Sequence, residues 1–327
     1  MRAIGIHRFG APDVLATVDR PLPRPGPGEI RIKVAAAAVN PGDLALRSGM
    51  FAAFLQNVPP PHTPGMDASG TVDATGPGTD FTPGQRVMAY VNPLHPYGGA
   101  QAEYIVTPQD HATPLPDEAD LHDAAGLPMN GLTAHQALTL LALPAGATIA
   151  VTGATGALGG YVAQLAACRG LRVIAGADPA DHDLLRELGA MPVAKTADAY
   201  LEAVPEGVDA LVDAAAAGTA LLPVIRQDGD YVQCRPGPLD LPPGMAHHHL
   251  NVMAYGNKQK TLKELATLAA KGTLTLRTAA RLTPDRAAEA HRCDSGVCSW
   301  CGGGCLSWGV GGFLIRIRVL EGCWWLC

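Results

Sequence analysis

A chain of 327 residues is longer than one hydrophobic core comfortably serves, so two domains are expected. Only 17% of it is charged and 47% is apolar, which excludes a disordered protein, while a net charge of −6 argues against nucleic acid or an anionic membrane as partner. The opening residues MRAIGIHRFGAPDV lack the apolar run of a secretory signal, no stretch before residue 292 suits a bilayer, and that body holds only Cys168 and Cys234, so a reducing, cytoplasmic setting is expected.

In chain order, residues 2–40 read as β structure interrupted by turns. The stretch Pro21–Gly28 (PLPRPGPG) is a rigid connector, and Glu29–Val39 alternates as a half-buried strand does. Asn40-Pro41-Gly42-Asp43 reads as a turn. Between residues 65 and 107, Gly-rich turns separate SGTVDATG, QRVMAYV and AQAEYIV, completing a small all-β unit. Near Leu121 the pattern changes: residues 122–143 are rich in Ala and Leu and helical, with a break at Pro128 and Gly131. Beyond a glycine-spaced turn come strand Leu171–Ala175 and helix Asp181–Leu188, which Gly189 ends. Strand Ala210–Asp213, helix Ala220–Ile225, strand Asp230–Cys234 and strand Leu250–Ala254 follow, with helices over 259–271 and Pro284–Arg292. His247-His248-His249 lies in a Pro/Gly-rich stretch and reads as solvated loop. Strands alternating with helices imply a doubly wound parallel sheet, so the fold class is α/β with a preceding β domain.

Residues 149–166, IAVTGATGALGGYVAQLA, carry the chemistry. An apolar strand enters a turn in which Gly153, Gly156 and Gly159 recur every third residue, and a helix leaves it. Glycine lets a ligand approach the backbone, and the N–H groups and positive dipole end of the helix favour a diphosphate. The spacing is GxxGxxG, a variant of the commoner GxGxxG. A glycine-rich turn with a purely conformational role is the alternative, but strand before and helix after favour a dinucleotide. Thr152, Gly153, Ala154, Thr155, Gly156, Ala157, Leu158 and Gly159 are therefore candidate cofactor contacts. After the next strand, an NAD site usually places an acidic residue for the ribose; here that position is Gly176, which suits a 2′-phosphate. Yet Asp178, Asp181 and Asp183 follow with no Lys or Arg before Arg186, and Asp178 would repel a phosphate. NADP is favoured slightly, with NAD as the alternative. Asp209 and Asp213 bracket a buried strand whose end lies near such a cofactor.

The tail differs from the body. Six of the eight cysteines and all four tryptophans fall in residues 293–327. Cys298, Cys301 and Cys305 are closely spaced, but no second pair or histidine follows to complete a zinc site, and a disulfide knot conflicts with the cysteine-poor body. A shifted reading frame in a GC-rich gene accounts for the composition best.

Several separated motifs, VNPGDLALRSG (39–49), GMDASGTV (65–72), GLTAHQAL (131–138), VTGATGALGG (151–160), RELGA (186–190) and AAEAHR (287–292), occur in an order that resembles the medium-chain dehydrogenase/reductase superfamily, and within it the zinc-independent quinone oxidoreductases. The resemblance implies a GroES-like substrate domain over 1–122, completed by 258–292, a Rossmann NAD(P)-binding domain over 123–257, and an active site in the cleft between them. The zinc-dependent branch carries a Cys within the turn that reads Asn40–Asp43 here, and a His-Glu pair where this chain has Met66-Asp67. The loop at 90–103 contains no cysteine, and His62 and His95 read as surface loop residues, so no metal is expected. By the same resemblance Asn40 and Asp43 lie beside nicotinamide and substrate as catalytic residues, although both residue types also serve turns. Thr133 matches a nicotinamide-contacting threonine, or else caps a helix start. Ala45 and Phe51 stand where relatives can carry a tyrosine acid, so water is expected to protonate the product. The expected function is NAD(P)H-dependent reduction of a quinone or an α,β-unsaturated carbonyl. A zinc-free alcohol dehydrogenase or enoyl reductase, or an inactive cofactor-binding protein, are the alternatives, and a homodimer is expected by analogy alone.

Overall fold

The computed structural model describes residues 1–235 and 240–292, together with the backbone of 304–307. The chain forms two units: Met1–Met129 with Asn257–Ala270 and the residues from Leu276 onward, and Asn130–Gly256 with Lys271–Thr275. The division thus falls at Met129 rather than at residue 122, and five residues beyond 257 join the second unit.

In the first unit, β1 (Arg2–Ile6) and β2 (Leu15–Asp19) form an antiparallel ribbon. The long strand β3 (Glu29–Val39) pairs on one side with β4 (Asp67–Thr75). Strand β5 (Arg86–Tyr90) adds to β4, β6 (Tyr104–Pro108) pairs with β3, and β7 (Ala112–Pro114) adds to β5. Alternate residues Ile30, Ile32 and Val34 of β3 point inward with Val72, Val87 and Ile105, which is why this strand organises the core. Residues Asn40–Asp43 are not a free-standing turn: Asn40 is the extended N-cap of helix α1 (Pro41–Ser48), and Pro41 occupies the first helical position, where its fixed φ is favourable. His62 is buried rather than exposed, with its ring stacked 5.6 Å from that of Phe9. The helical stretch over 122–143 breaks before Pro128, as expected, into α2 (Leu121–Ala124) and α3 (Pro128–Leu141), with Pro128 opening the second helix, while Gly131 lies inside it.

In the second unit, β8 (Thr148–Thr152) leads through the glycine turn into α4 (Ala157–Cys168). Then come β9 (Arg172–Gly176), α5 (His182–Glu187), β10 (Ala190–Val193), α6 (Ala197–Ala203), β11 (Val208–Asp213), β12 (Ile225–Gln233) and β13 (Ala246–His249). The six-stranded sheet has the order β10-β9-β8-β11-β12-β13 and is parallel throughout. This is the doubly wound α/β arrangement, with its order reversing between β8 and β11. Apolar residues on both faces of β8, β9 and β11 explain their near-continuous hydrophobic runs. Two readings need correction. His247–His249 lie in strand β13, not in a solvated loop, and Leu250–Ala254 is not a strand; among the described residues β13 pairs only with β12, at the sheet edge, and tolerates polar side chains. The helix expected at Ala220–Ile225 is the 3₁₀ segment Gly218–Val224, which contains Pro223.

The chain then returns to the first unit with α7 (Lys258–Ala270), β14 (Ala280–Leu282), α8 (Ala287–Arg292) and β15 (Gly304–Ser307). Strand β15 runs antiparallel to β3, pairing Gly304 with Val39 and Ser307 with Ala36, and parallel to β14. The rest of the Cys/Trp-rich segment, on which the frame-shift reading bears, lies outside the described residues. Among the described residues, no helix is long and apolar enough to cross a membrane.

Candidate active site

In the first unit, the N-terminus of α1 gathers two carboxylates around one amide. Asp43 reaches back to its own helix start, where its Oδ2 accepts from the Asn40 backbone N–H at 2.8 Å, and its Oδ1 accepts from the Gly65 N–H at 2.7 Å. The Asn40 side-chain Nδ2 donates to Asp67 Oδ2 at 2.8 Å, and the other Asp67 oxygen accepts from the Met129 N–H. Both carboxyl groups are 0% exposed. Burial pushes Asp43 up to about 7 against the pull of its two backbone donors, and Asp67 up to about 8 against its own two. Asn40, Asp43 and Asp67 are therefore one buried hydrogen-bonded group, in which all four carboxyl oxygens already accept from N–H donors. Asp67 was a position of note only for zinc ligation; its bond to Asn40 spans 27 residues of chain, and no local pattern announces it.

The second unit carries the glycine turn. Gly153 has φ of +62°, a left-handed conformation that favours glycine. A Cβ on Gly159 would stand 2.3 Å from the Gly153 carbonyl oxygen, so only glycine lets α4 close this tightly on the strand end. Gly156 is the N-cap of α4 and provides no capping side chain, so no side chain of the cap competes with a ligand for the first-turn N–H groups of Ala157, Leu158 and Gly159. This backbone cradle fits a dinucleotide diphosphate. Ala154 is fully buried beneath the turn, while Thr155 lies half-buried within it.

Thr152 behaves differently from the backbone contacts around it. Its Oγ1 donates to Asp213 Oδ1 at 2.6 Å and accepts from the Ala215 N–H at 2.9 Å. Asp213 also accepts from the N–H groups of Ala217 and Gly218 and, at 2.8 Å, from the Tyr231 hydroxyl. Thr152 thus ties the loop after β11 to the end of β8, at the point where the strand order reverses. Asp209 works at the opposite end of β11, accepting from the Thr148 N–H and pairing with Arg226, each at 2.7 Å. Thr133 is buried within α3, past its first turn, which removes the helix-cap alternative.

At the end of β9, Gly176 does not leave an open space as the sequence suggested. A Cβ there would meet the Tyr200 hydroxyl oxygen at 2.9 Å and Lys195 Cα at 3.2 Å. The Gly176 N–H donates to that hydroxyl at 2.6 Å. Asp178 is paired with Lys195, Nζ to Oδ2, at 2.6 Å. Lys195 was missed because it lies beyond β10, a short strand carrying Pro192 that the sequence pattern does not mark.

The alcohol dehydrogenase GroES-like domain family matches residues 26–117. A chloroplastic quinone oxidoreductase of Triphysaria versicolor is 33% identical over 252 residues, covering 73% of this chain and 76% of that protein. The chain belongs to the medium-chain dehydrogenase/reductase superfamily, in its quinone oxidoreductase-like branch. Among solved structures, the quinone oxidoreductase of Coxiella burnetii superposes with a TM-score of 0.80 at 27% identity, covering 94% of this chain and 99% of that one. A mycobacterial homologue complexed with NADPH gives 0.82 at 26% identity, with 94% and 99% covered, and an NAD-dependent alcohol dehydrogenase gives 0.81 at 27%, with 94% and 100% covered. This family member is accordingly an NAD(P)H-dependent oxidoreductase with a GroES-like sheet and a Rossmann sheet.

Proposed function

We propose that the protein reduces a quinone or an α,β-unsaturated carbonyl with NADPH, without a catalytic metal. The observation that carries this reading is the closed hydrogen-bonding of Asn40, Asp43 and Asp67, whose carboxyl oxygens are each committed to an N–H donor. Met66 and Asp67 occupy the positions where the zinc-dependent branch has His and Glu, and a thioether beside a carboxyl group already bonded to Asn40 and Met129 does not replace that ligand pair. A site without a Lewis acid is poorly suited to forming an alkoxide but adequate for an acceptor that is already polarised. The printed names of the relatives support the same acceptor class.

When bound, the nicotinamide supplies the hydride. The backbone of Gly153–Gly159 holds the diphosphate through its N–H groups and the α4 dipole. Thr133 contacts the nicotinamide, and Asn40 orients the acceptor. Asp43 and Asp67 act through Asn40 as positioning residues, since neither is exposed. Water protonates the product, because Ala45 and Phe51 provide no acid. A homodimer is proposed by analogy with the family.

Following NADPH by absorbance, as its loss with naphthoquinone or an enone and its formation from a primary alcohol plus NADP⁺, tests the reading. Turnover is expected with the first or second and not with the third. Alcohol oxidation alone would replace it with the alcohol dehydrogenase alternative, and cofactor binding without any turnover would support an inactive binding protein.

A further inference from the structure

We infer that His247 and His249, on the edge strand β13, chelate a divalent late-transition cation such as Zn²⁺ or Cu²⁺. The site goes beyond the reductase reading and takes no part in it, since β13 stands three strands along the sheet from β8 and its cofactor turn.

The pleat of the strand sorts the run His247-His248-His249. In an extended chain alternate side chains share a face, so His247 and His249 project from one side and His248 from the other. His248 is held on its side, where its Nε2–H donates to Asp230 Oδ1 at 2.7 Å. On the opposite face the His247 and His249 rings lie 4.0 Å apart, centroid to centroid. Strand β12 fixes the first of them. The His247 ring packs 5.6 Å from the Tyr231 ring, and its Nε2–H donates to Gln233 Oε1 at 3.1 Å. That bond sets the tautomer in which Nδ1 keeps its lone pair, as a hydrogen-bonded neighbour does for a metal-bound imidazole. His249 is exposed, so its ring can turn to bring a second nitrogen about 3 Å from the first, the separation that two metal–nitrogen bonds of about 2.0–2.1 Å require.

Imidazole pairs suit Zn²⁺, Ni²⁺ and Cu²⁺, whereas Mg²⁺ and Ca²⁺ prefer oxygen. Among the described residues no group of three or more His, Cys, Asp or Glu could hold a metal ion, so water completes the coordination and the site is open, unlike a closed structural one. The extended strand is what brings residues two apart to one face. The folded chain therefore binds the cation more tightly than the unfolded chain, and the cation fastens the sheet edge.

Calorimetry and thermal melts on untagged full-length protein, its accessible thiols alkylated so that they cannot bind metal, test this with Zn²⁺, Cu²⁺ and Mg²⁺. One Zn²⁺ or Cu²⁺ per chain is expected to bind and to raise the melting temperature by about 3 °C or more at saturation, and Mg²⁺ to do neither. His247→Ala and His249→Ala are each expected to weaken binding about tenfold or more, and His248→Gln, which keeps a donor for Asp230, by less than about twofold. Electron paramagnetic resonance of the Cu²⁺-loaded protein should show two coupled nitrogens in the wild type and one in His249→Ala. Melts without metal report that each variant is folded. Equal losses in all three variants, undiminished binding in His247→Ala and His249→Ala, or a spectrum without coupled nitrogens would overturn the inference. None of these readouts uses NADPH, so the reductase reading is tested separately.

Discussion

Asp43 and Asp67 sit where two opposing forces meet: N–H donors that favour the ionised carboxylate, and burial that favours the neutral acid. Replacing Asp43 with Ala leaves the Asn40 and Gly65 N–H groups unpaired in the interior, so a loss of roughly 2–4 kcal/mol is expected in chemical denaturation. Its turnover should also fall, because the start of α1 that carries Asn40 loses its anchor; unchanged turnover would leave Asp43 no part in the chemistry. The raised values also make stability depend on pH. Unfolded Asp67 releases its proton near 3.8 and folded Asp67 near about 8, so between these values the native state binds more protons. Stability therefore falls as pH rises through that window, by at most about 1.4 kcal/mol per pH unit for one proton. Thermal melts from pH 5 to pH 9 should show this decline in the wild type and a flatter profile in Asp67→Asn; parallel profiles would contradict it. The sequence marked Asn40 and Asp43 as candidates, but the identical residues suit turns, and their partner Asp67 is brought to them only by the pairing of β3 with β4.

The β8–turn–α4 element was the most legible part of the chain, because its signal is local: glycine spacing, an apolar strand and a helix all lie between Thr148 and Cys168. Its glycines are not equivalent. Gly159→Ala places a Cβ 2.3 Å from a backbone oxygen, whereas Gly156→Ala places one at 3.3 Å. Gly159→Ala should therefore cost about tenfold or more in NADPH affinity and Gly156→Ala only a few-fold, as measured by cofactor fluorescence titration; equal losses would mean that the close packing of α4 on the turn does not set affinity. Less local elements were harder to read. Strand β13 is polar and paired along one edge, so its AHHH sequence shows no strand pattern, and β10 and α6 are short enough for their periodicity to be lost. Lys195, placed by the register of β10 against β9, was hidden for that reason.

The order of a β unit followed by alternating strands and helices was readable because hydrophobic period separates the two sheets, one antiparallel around β3 and one parallel around β8. The return of α7 and β14 to the first unit is a matter of long-range pairing, expected from the family resemblance rather than from any periodicity, whereas β15 lies in the segment set apart as anomalous. The central claim is that this oxidoreductase delivers hydride to an activated acceptor while a hydrogen-bonded amide and two carboxyl groups stand where relatives bind zinc. The most direct measurement uses chelator-treated protein, NADPH deuterated at the transferring carbon, and an enone, with the product read by mass spectrometry. The account predicts one deuterium at the β-carbon and an undiminished rate. Activity that disappears with chelation and returns on adding zinc would contradict it.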